Sequence, residues 1–232
     1  MLIKRRLMRP VLTDEEVAQF RGEVCRVAEV LFSRRGVDGV TMRQIAAELD
    51  CSPTTAYRYF KSKEEILAAV RAAAFNRFCE VIEEATRSSL DPRTSARNVG
   101  QAYLDFALAN PEAYRMMFEV SQAAVTGNAG LAEALARARR SMVAYLVPMI
   151  DEGILSGEPH ALGQMLWAAA HGLVMLRLSG IVEDDVELRQ LHGKTMSALV
   201  RGTGQLMADS RATNVLDLVK PSRARRAGRK TP

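Results

Sequence analysis

The chain has 232 residues, 48% hydrophobic and 25% charged, as in an ordinary folded soluble protein of one large or two small domains. Its cysteines, Cys25, Cys51 and Cys79, are odd in number and lack paired metal-ligand spacing; they suggest no disulfide framework, and a reducing cytoplasm is the expected location. Lys+Arg 32 against Asp+Glu 27 leaves +5, and the excess sits at the two ends: residues 1–61 carry 11 basic and 8 acidic side chains, residues 62–219 carry 15 and 19, and residues 220–232 carry 6 and 0. That distribution suits a protein that touches nucleic acid with a minority of its surface.

In chain order, residues 1–13 read as a flexible basic arm. Lys4-Arg5-Arg6 has no apolar h-region after it, so no signal peptide is expected. Lys4, Arg5, Arg6 and Arg9 either follow phosphates or a minor groove, as such arms do elsewhere, or are simply solvated. Thr13 and Glu16 form a capping box. The helical spacing of Val17, Phe20, Val24, Val27, Ala28 and Leu31 then predicts a helix as far as Arg35, stopped by Gly36.

The stretch from Val40 to Phe60 predicts two short helices and a tight turn. Thr41 and Gln44 make a second capping box, and Ile45, Ala46 and Leu49 share a face, with Ala47 small enough for another helix to pack closely. Pro53 keeps Ser52 out of the helix but suits a first helical position, so Ser52 caps a helix from Pro53 to about Phe60. Helices this short need a third to pack on. The result is a helix-turn-helix. Outward, Thr54, Thr55, Tyr57, Arg58 and Tyr59 offer donors and aromatics without an acid, which suits a polyanionic groove; Ala56 and Phe60 face inward. An ordinary helical hairpin with a polar face is the other reading. Ser62 and Glu65 form a further box, and Lys61 and Lys63 flank that helix start as a phosphate seat.

The order V-T-M-R-Q-I-A, a turn, S-P-T-T-A-Y-R-Y-F and K-S-K-E-E-I-L resembles the DNA-binding region of TetR-family transcriptional regulators over about Phe20 to Val70. The family's turn commonly has glycine where Asp50 stands; Asp tolerates the left-handed conformation better than most residues. The resemblance implies that Thr41, Tyr59, Lys61 and Lys63 contact phosphates and that Arg43, Thr54, Thr55 and Tyr57 lie near base edges. It also implies dimerisation through the C-terminal helices.

From Ser62 onward the pattern is helical. Helices are predicted from Lys63 to about Ser88 and, after a break at Asp91-Pro92, from about Thr94 to Ala109. Another starts at Asn110-Pro111. Gly127-Asn128-Ala129-Gly130 reads as a linker, and Leu131 to Gly153 as a helix kinked by Pro148. A nearly all-apolar helix follows from about Ala161 to Leu178; Gln164, His171 and Arg177 interrupt it, so it is a buried helix and not a membrane span. The last long helix runs from Val186 to about Asp209. A helix apolar all round must be covered on every side, which predicts a four-helix interface between two copies through the last two helices. Gly193, Gly202 and Gly204 fit a close approach there.

The fold class is thus all-α: a basic arm (1–13), a three-helix helix-turn-helix head (14–62), a helical ligand-binding and dimerisation body (63–210) and a disordered basic tail (211–232). Trp167-Ala-Ala-Ala-His171-Gly172 resembles the Trp–His–Gly signature of one class of TetR C-terminal domains, and its spacing of four sets both rings on one face. A ligand pocket is expected among Phe75, Phe78, Tyr103, Phe106, Met117, Phe118, Tyr145, Met149, Trp167 and His171, each of which also reads as core. No G-x-S-x-G, P-loop, dinucleotide or H-x-x-x-H pattern is present, so no enzyme, cofactor or metal is expected. The expected function is a ligand-responsive regulator: a homodimeric repressor of a palindromic double-stranded operator, released by a small apolar or amphipathic effector. The alternative is a helical small-molecule-binding or adaptor protein without sequence-specific DNA binding.

Overall fold

A computed structural model describes residues 13–118 and 127–208. Apart from Thr13, the basic arm lies outside the described residues, as does the tail over 211–232. Among the described residues there is no strand, and no helix is long and apolar enough to cross a membrane.

Most helices begin where a side chain accepts the orphan N–H groups of the first turn. α1 (Asp14–Arg35) starts at the full Thr13/Glu16 box, has acids in its first turn and arginines in its last, and ends at Gly36 with φ 69°. α2 (Met42–Glu48) has the full Thr41/Gln44 box, and α3 (Pro53–Tyr59) has Ser52 as N-cap with Pro53 in its first turn. Asp50, between them, has φ 50°, the left-handed turn expected of it. Neither seven-residue helix is stable alone. Met42, Ile45, Ala46, Ala56 and Phe60 bury themselves in one cluster with Val24, Ala28, Leu31 and Phe32 of α1. Ala47, expected at a close contact, is exposed.

α4 (Lys63–Arg87), 25 residues and roughly 37 Å long, packs against α1 at one end and against α5 (Pro92–Ala109), α6 (Pro111–Phe118) and α7 (Ala129–Ala144) along the rest. It is the column joining head to body. Asp91-Pro92 starts α5 and does not merely break the chain: Asp91 Oδ2 accepts the Thr94 N–H at 2.9 Å and proline fills the first turn. Asn128 caps α7, so half of the expected linker is helical.

The kink expected at Pro148 falls earlier. α7 ends at Ala144, and α8 (Leu146–Asp151) restarts after Tyr145. A proline ring clashes with the carbonyl four residues back, here Ala144, while Pro148 itself sits in a first turn where its missing N–H costs nothing. Glu158 caps α9 (Pro159–Leu178), and α10 (Asp185–Ala208) closes the described chain. Within one chain α9 is not covered all round. Ala161, Gln164, Met165, Ala168, Gly172 and Leu176 form an exposed stripe along it.

One cation sits inside this apolar body. Arg71, on α4, is 0% exposed and donates from Nη2 to the Met117 carbonyl at 2.9 Å, at the negative end of α6. Its Nε and Nη1 are buried without a partner among the described residues.

Candidate functional site

The head presents α3 as a seven-residue helix held from behind. Ala56 and Phe60 are 0% and 1% exposed, so the opposite side must face solvent. There stand Thr54, Tyr57 at 52% exposure, and Arg58. Thr41 and Arg43 at the start of α2, and Lys61 after α3, are exposed as well. Arg58, for which the resemblance implied no contact, belongs to this face by its exposure.

Three of the eight residues expected at this surface are tied into the fold. The Thr55 hydroxyl lies 2.9 Å from Ser52 Oγ, so it is turned toward the cap. Tyr59 is half-buried, its ring 4.4 Å from that of Phe20. Lys63 Nζ donates to the Val37 carbonyl at 2.8 Å, which turns it to the loop before α2 and away from a shared seat with Lys61. The Ser62/Glu65 box is also only half formed. Ser62 Oγ accepts the Glu65 N–H, but the Glu65 carboxylate reaches one residue further back, to the Lys61 N–H at 2.7 Å.

Arg21 is the residue that sequence reading missed. From α1 its guanidinium lies 4.0 Å over the Phe60 ring, donates to the Tyr59 carbonyl and pairs with Glu65 at 3.3 Å. One side chain thus fixes the C-terminal end of α3 to both α1 and α4. Only the three-dimensional meeting of positions 21, 59, 60 and 65 reveals it.

Burial raises the Cys51 thiol above its ordinary value, helped by the Asp50 carboxylate, which keeps it a thiol and not a thiolate at neutral pH.

In the body, the expected pocket residues separate into two groups. Phe75, Phe78, Phe106, Phe118, Trp167 and His171 pack ring against ring with Tyr103 and Tyr114, Met117 is buried in the same cluster, and none of the seven lines the cavity described below. The edge-on pairs Phe78–Tyr103, Phe78–Phe106, Phe75–Phe118 and Phe118–Trp167 lie between 5.3 and 6.0 Å. Through them runs a hydrogen-bond chain, Tyr103 Oη to Tyr114 Oη at 2.6 Å and Tyr114 Oη to His171 Nδ1 at 2.7 Å. Burial pushes both phenols far up, so they stay protonated. His171 therefore has a built partner in Tyr114, and Trp167 and His171 meet on Phe118.

The second group, Tyr103, Tyr145 and Met149, borders a cavity of about 460 Å³ between α5, α8, α9 and α10. Leu104, Leu146, Leu166 and Met196 line it too, with Arg93, Arg97 and His192. His192 lies against α5 at Gly100, where an added Cβ would stand 2.8 Å from its Cε1. Among the described residues no group of acids, histidines and cysteines is arranged to hold a metal ion.

Two family models match the chain. Residues 25–70 match the model described as bacterial regulatory proteins, tetR family, and residues 96–201 the model described as tetracyclin repressor-like, C-terminal domain. The transcriptional activator FasR of Mycolicibacterium smegmatis is 29% identical over 99 residues, 43% of this chain and 45% of that protein. The nucleoid occlusion factor SlmA of Pasteurella multocida is 30% identical over 95 residues, 39% and 46% of the two chains. The chain thus spans about half the length of the curated relatives it matches. Among solved structures, a Rhodococcus protein of unknown function aligns with a TM-score of 0.68 at 22% identity, covering 79% of this chain and 94% of that one. The regulator PfmR of Thermus thermophilus aligns at 0.59 and 17%, covering 77% and 97%. These two likenesses speak for the fold.

Proposed function

The chain belongs to the TetR family of bacterial transcriptional regulators, and from that premise we propose that it is a ligand-responsive repressor that holds a palindromic operator as a homodimer. Members of the family are DNA-binding regulators and not enzymes. In this reading the 14–62 head reads DNA, while the 63–210 body binds the effector and dimerises. The observation that carries it is the acid-free outer side of α3, where Thr54, Tyr57 and Arg58 are exposed over a buried Ala56.

Arg43, Thr54 and Tyr57 reach base edges, while Thr41 and Lys61 hold phosphates and fix the register. Thr55, Tyr59 and Lys63 contribute by shaping the surface, and contact DNA only where their remaining exposure allows. Two copies meeting through α9 and α10 bring two α3 helices to half-sites about 34–36 Å apart or a small multiple of that. The exposed stripe of α9 supports this dimer. So does the open space where a Cβ would stand on Gly172 and Gly202, which leaves room for a neighbouring helix to come close. A small apolar or amphipathic molecule in the body releases the operator.

The test is Tyr57→Ala, because its side chain is exposed and supports little of the core. Fluorescence anisotropy with selected operator DNA is expected to lose about tenfold or more in affinity, the worth of one good base or phosphate contact. The melting temperature and the dimer by analytical ultracentrifugation should not change. A variant that binds its operator as tightly as the parent removes α3 from the reading.

A further inference from the structure

The cavity between α5, α8, α9 and α10 has a chemistry more specific than apolar. Its walls are buried aliphatic and thioether side chains: Leu104, Met142, Leu146, Met149, Leu155 and Leu166, all 8% exposed or less. Among the described residues that line it there is no Asp or Glu. There are three arginines, and they differ. Arg189 is held by Asp105 at 2.6 Å. Arg93 and Arg97, one turn apart on α5, are exposed and form no ion pair among the described residues, although Arg93 stands near enough to the Asp91 cap to help hold that carboxylate ionised. Two guanidinium groups with donors to spare therefore border an apolar space.

Two further groups refine the picture. Tyr145 lines the cavity at 8% exposure, and its hydroxyl makes no hydrogen bond among the described residues. Burial pushes this phenol well above its ordinary value, so it is a protonated donor. His192 is moved the other way, below its ordinary value, so at neutral pH it adds no charge to those of the arginines.

We propose that this cavity is the effector site and that it selects an amphipathic carboxylate, its apolar body along the leucine and methionine wall and its head at Arg93 and Arg97. The assignment rests on the ligand-responsive reading above and names the class of ligand for it. Head and body have opposite requirements, and the cavity meets both. A carboxylate taken wholly into the apolar wall would lose its hydration without a partner, whereas at an exposed arginine pair it stays partly hydrated and gains charge-assisted hydrogen bonds. The apolar body gains from every Å² removed from water. A neutral amphipath makes no use of the arginines, and a cationic one is repelled by them. About 460 Å³ is within the range of small-molecule sites.

The experiment is isothermal titration calorimetry of the full chain with dodecanoate, dodecanol and dodecylammonium, each below its micelle concentration. Dodecanoate is expected to bind at least about tenfold tighter than dodecanol, the worth of one charged hydrogen bond, and dodecylammonium not at all. R93A/R97A should bring dodecanoate down to the dodecanol level; both side chains are exposed, so circular dichroism should report an unchanged fold. Met196→Trp, which obstructs the cavity from α10, should abolish both affinities; Ala170→Leu on the α9 wall serves if that variant does not fold. Equal affinity for dodecanoate and dodecanol, unmoved by R93A/R97A, overturns the anion assignment while leaving a small-molecule site. Dodecanoate binding that survives a folded cavity-filling variant, or no binding by any of the three, overturns the assignment of this cavity. Operator binding by the same preparation tests the regulator reading separately.

Discussion

Gly100 gives the sharpest check on how α10 sits against the body. An ideal Cβ there lies 2.8 Å from His192 Cε1, short of the 3.4 Å where ordinary contact begins. Gly100→Ala therefore brings two opposed effects. Alanine is about 1 kcal/mol better than glycine inside a helix, and Gly100 is mid-helix in α5. Against this, the imidazole must retreat by about 0.6 Å, and overpacking of this kind costs roughly 1–3 kcal/mol. The single variant is thus expected to fall between no change and a loss of about 2 kcal/mol. In a His192→Ala background the obstruction is gone, and the same change should stabilise by about 1 kcal/mol. Urea unfolding of the four proteins, read as a double-mutant cycle, should give a coupling of about 1–3 kcal/mol between positions 100 and 192. Additivity within about 0.5 kcal/mol would refute the close approach of α10 to α5 at this point.

Asp50→Gly relieves a left-handed residue that costs roughly 1–2 kcal/mol, less for Asp, but loosens the unfolded chain; chemical unfolding should show a net change within about 1 kcal/mol, whereas Asp50→Val should lose about 2 kcal/mol. Arg71→Met removes a buried guanidinium with two nitrogens unpaired among the described residues, at the cost of one hydrogen bond to Met117, so calorimetry should find stability unchanged or raised. A loss above about 3 kcal/mol would mean that the charge is compensated. Glu83 accepts two hydrogen bonds from Arg137 and one from Ser141, and Arg137 first of all holds its carboxyl below the ordinary 4.5. The folded state therefore binds this proton less readily than the unfolded one, and the contribution is present above 4.5 and lost as pH falls below it. Glu83→Gln should flatten that acid limb of the melting curve while lowering stability at neutral pH.

What the sequence made legible was whatever is decided within a few residues. The boxes at Thr13 and Thr41, the cap at Ser52 and the left-handed Asp50 are local bargains between a side chain and its own backbone, and the fold keeps them. The half-formed box at Ser62 shows the limit of such reading. Glu65 also answers to Arg21, 44 positions away, and its carboxylate sits where it serves Lys61 and Arg21 together. Rotation about a short helix was equally hard to read: Thr55 and Tyr59 share the polarity of Thr54 and Tyr57, but Ser52 and Phe20 hold them inward. In the body, aromatic residues looked alike as pocket or as core. Whether rings close on one another or leave a space depends on helix crossings that no spacing along the chain encodes. The arginines of the cavity rim read simply as charges on α5, because their neighbours on α10 are about 90 positions distant.

α10 is a helix with two sides in use. His192, Met196 and Val200 face the cavity, while Lys194, Ala198 and Arg201 are exposed on the side away from it. With a second copy seated on that outer side, the same helix is at once a wall of the ligand site and half of the subunit contact. A ligand that favours one setting of this wall must then change the affinity of the two copies for each other, and association must change the affinity for the ligand by the same factor. Sensitivity to the ligand would follow the amount of protein in the cell: a scarce chain and an abundant one would switch at different ligand concentrations with no change in sequence.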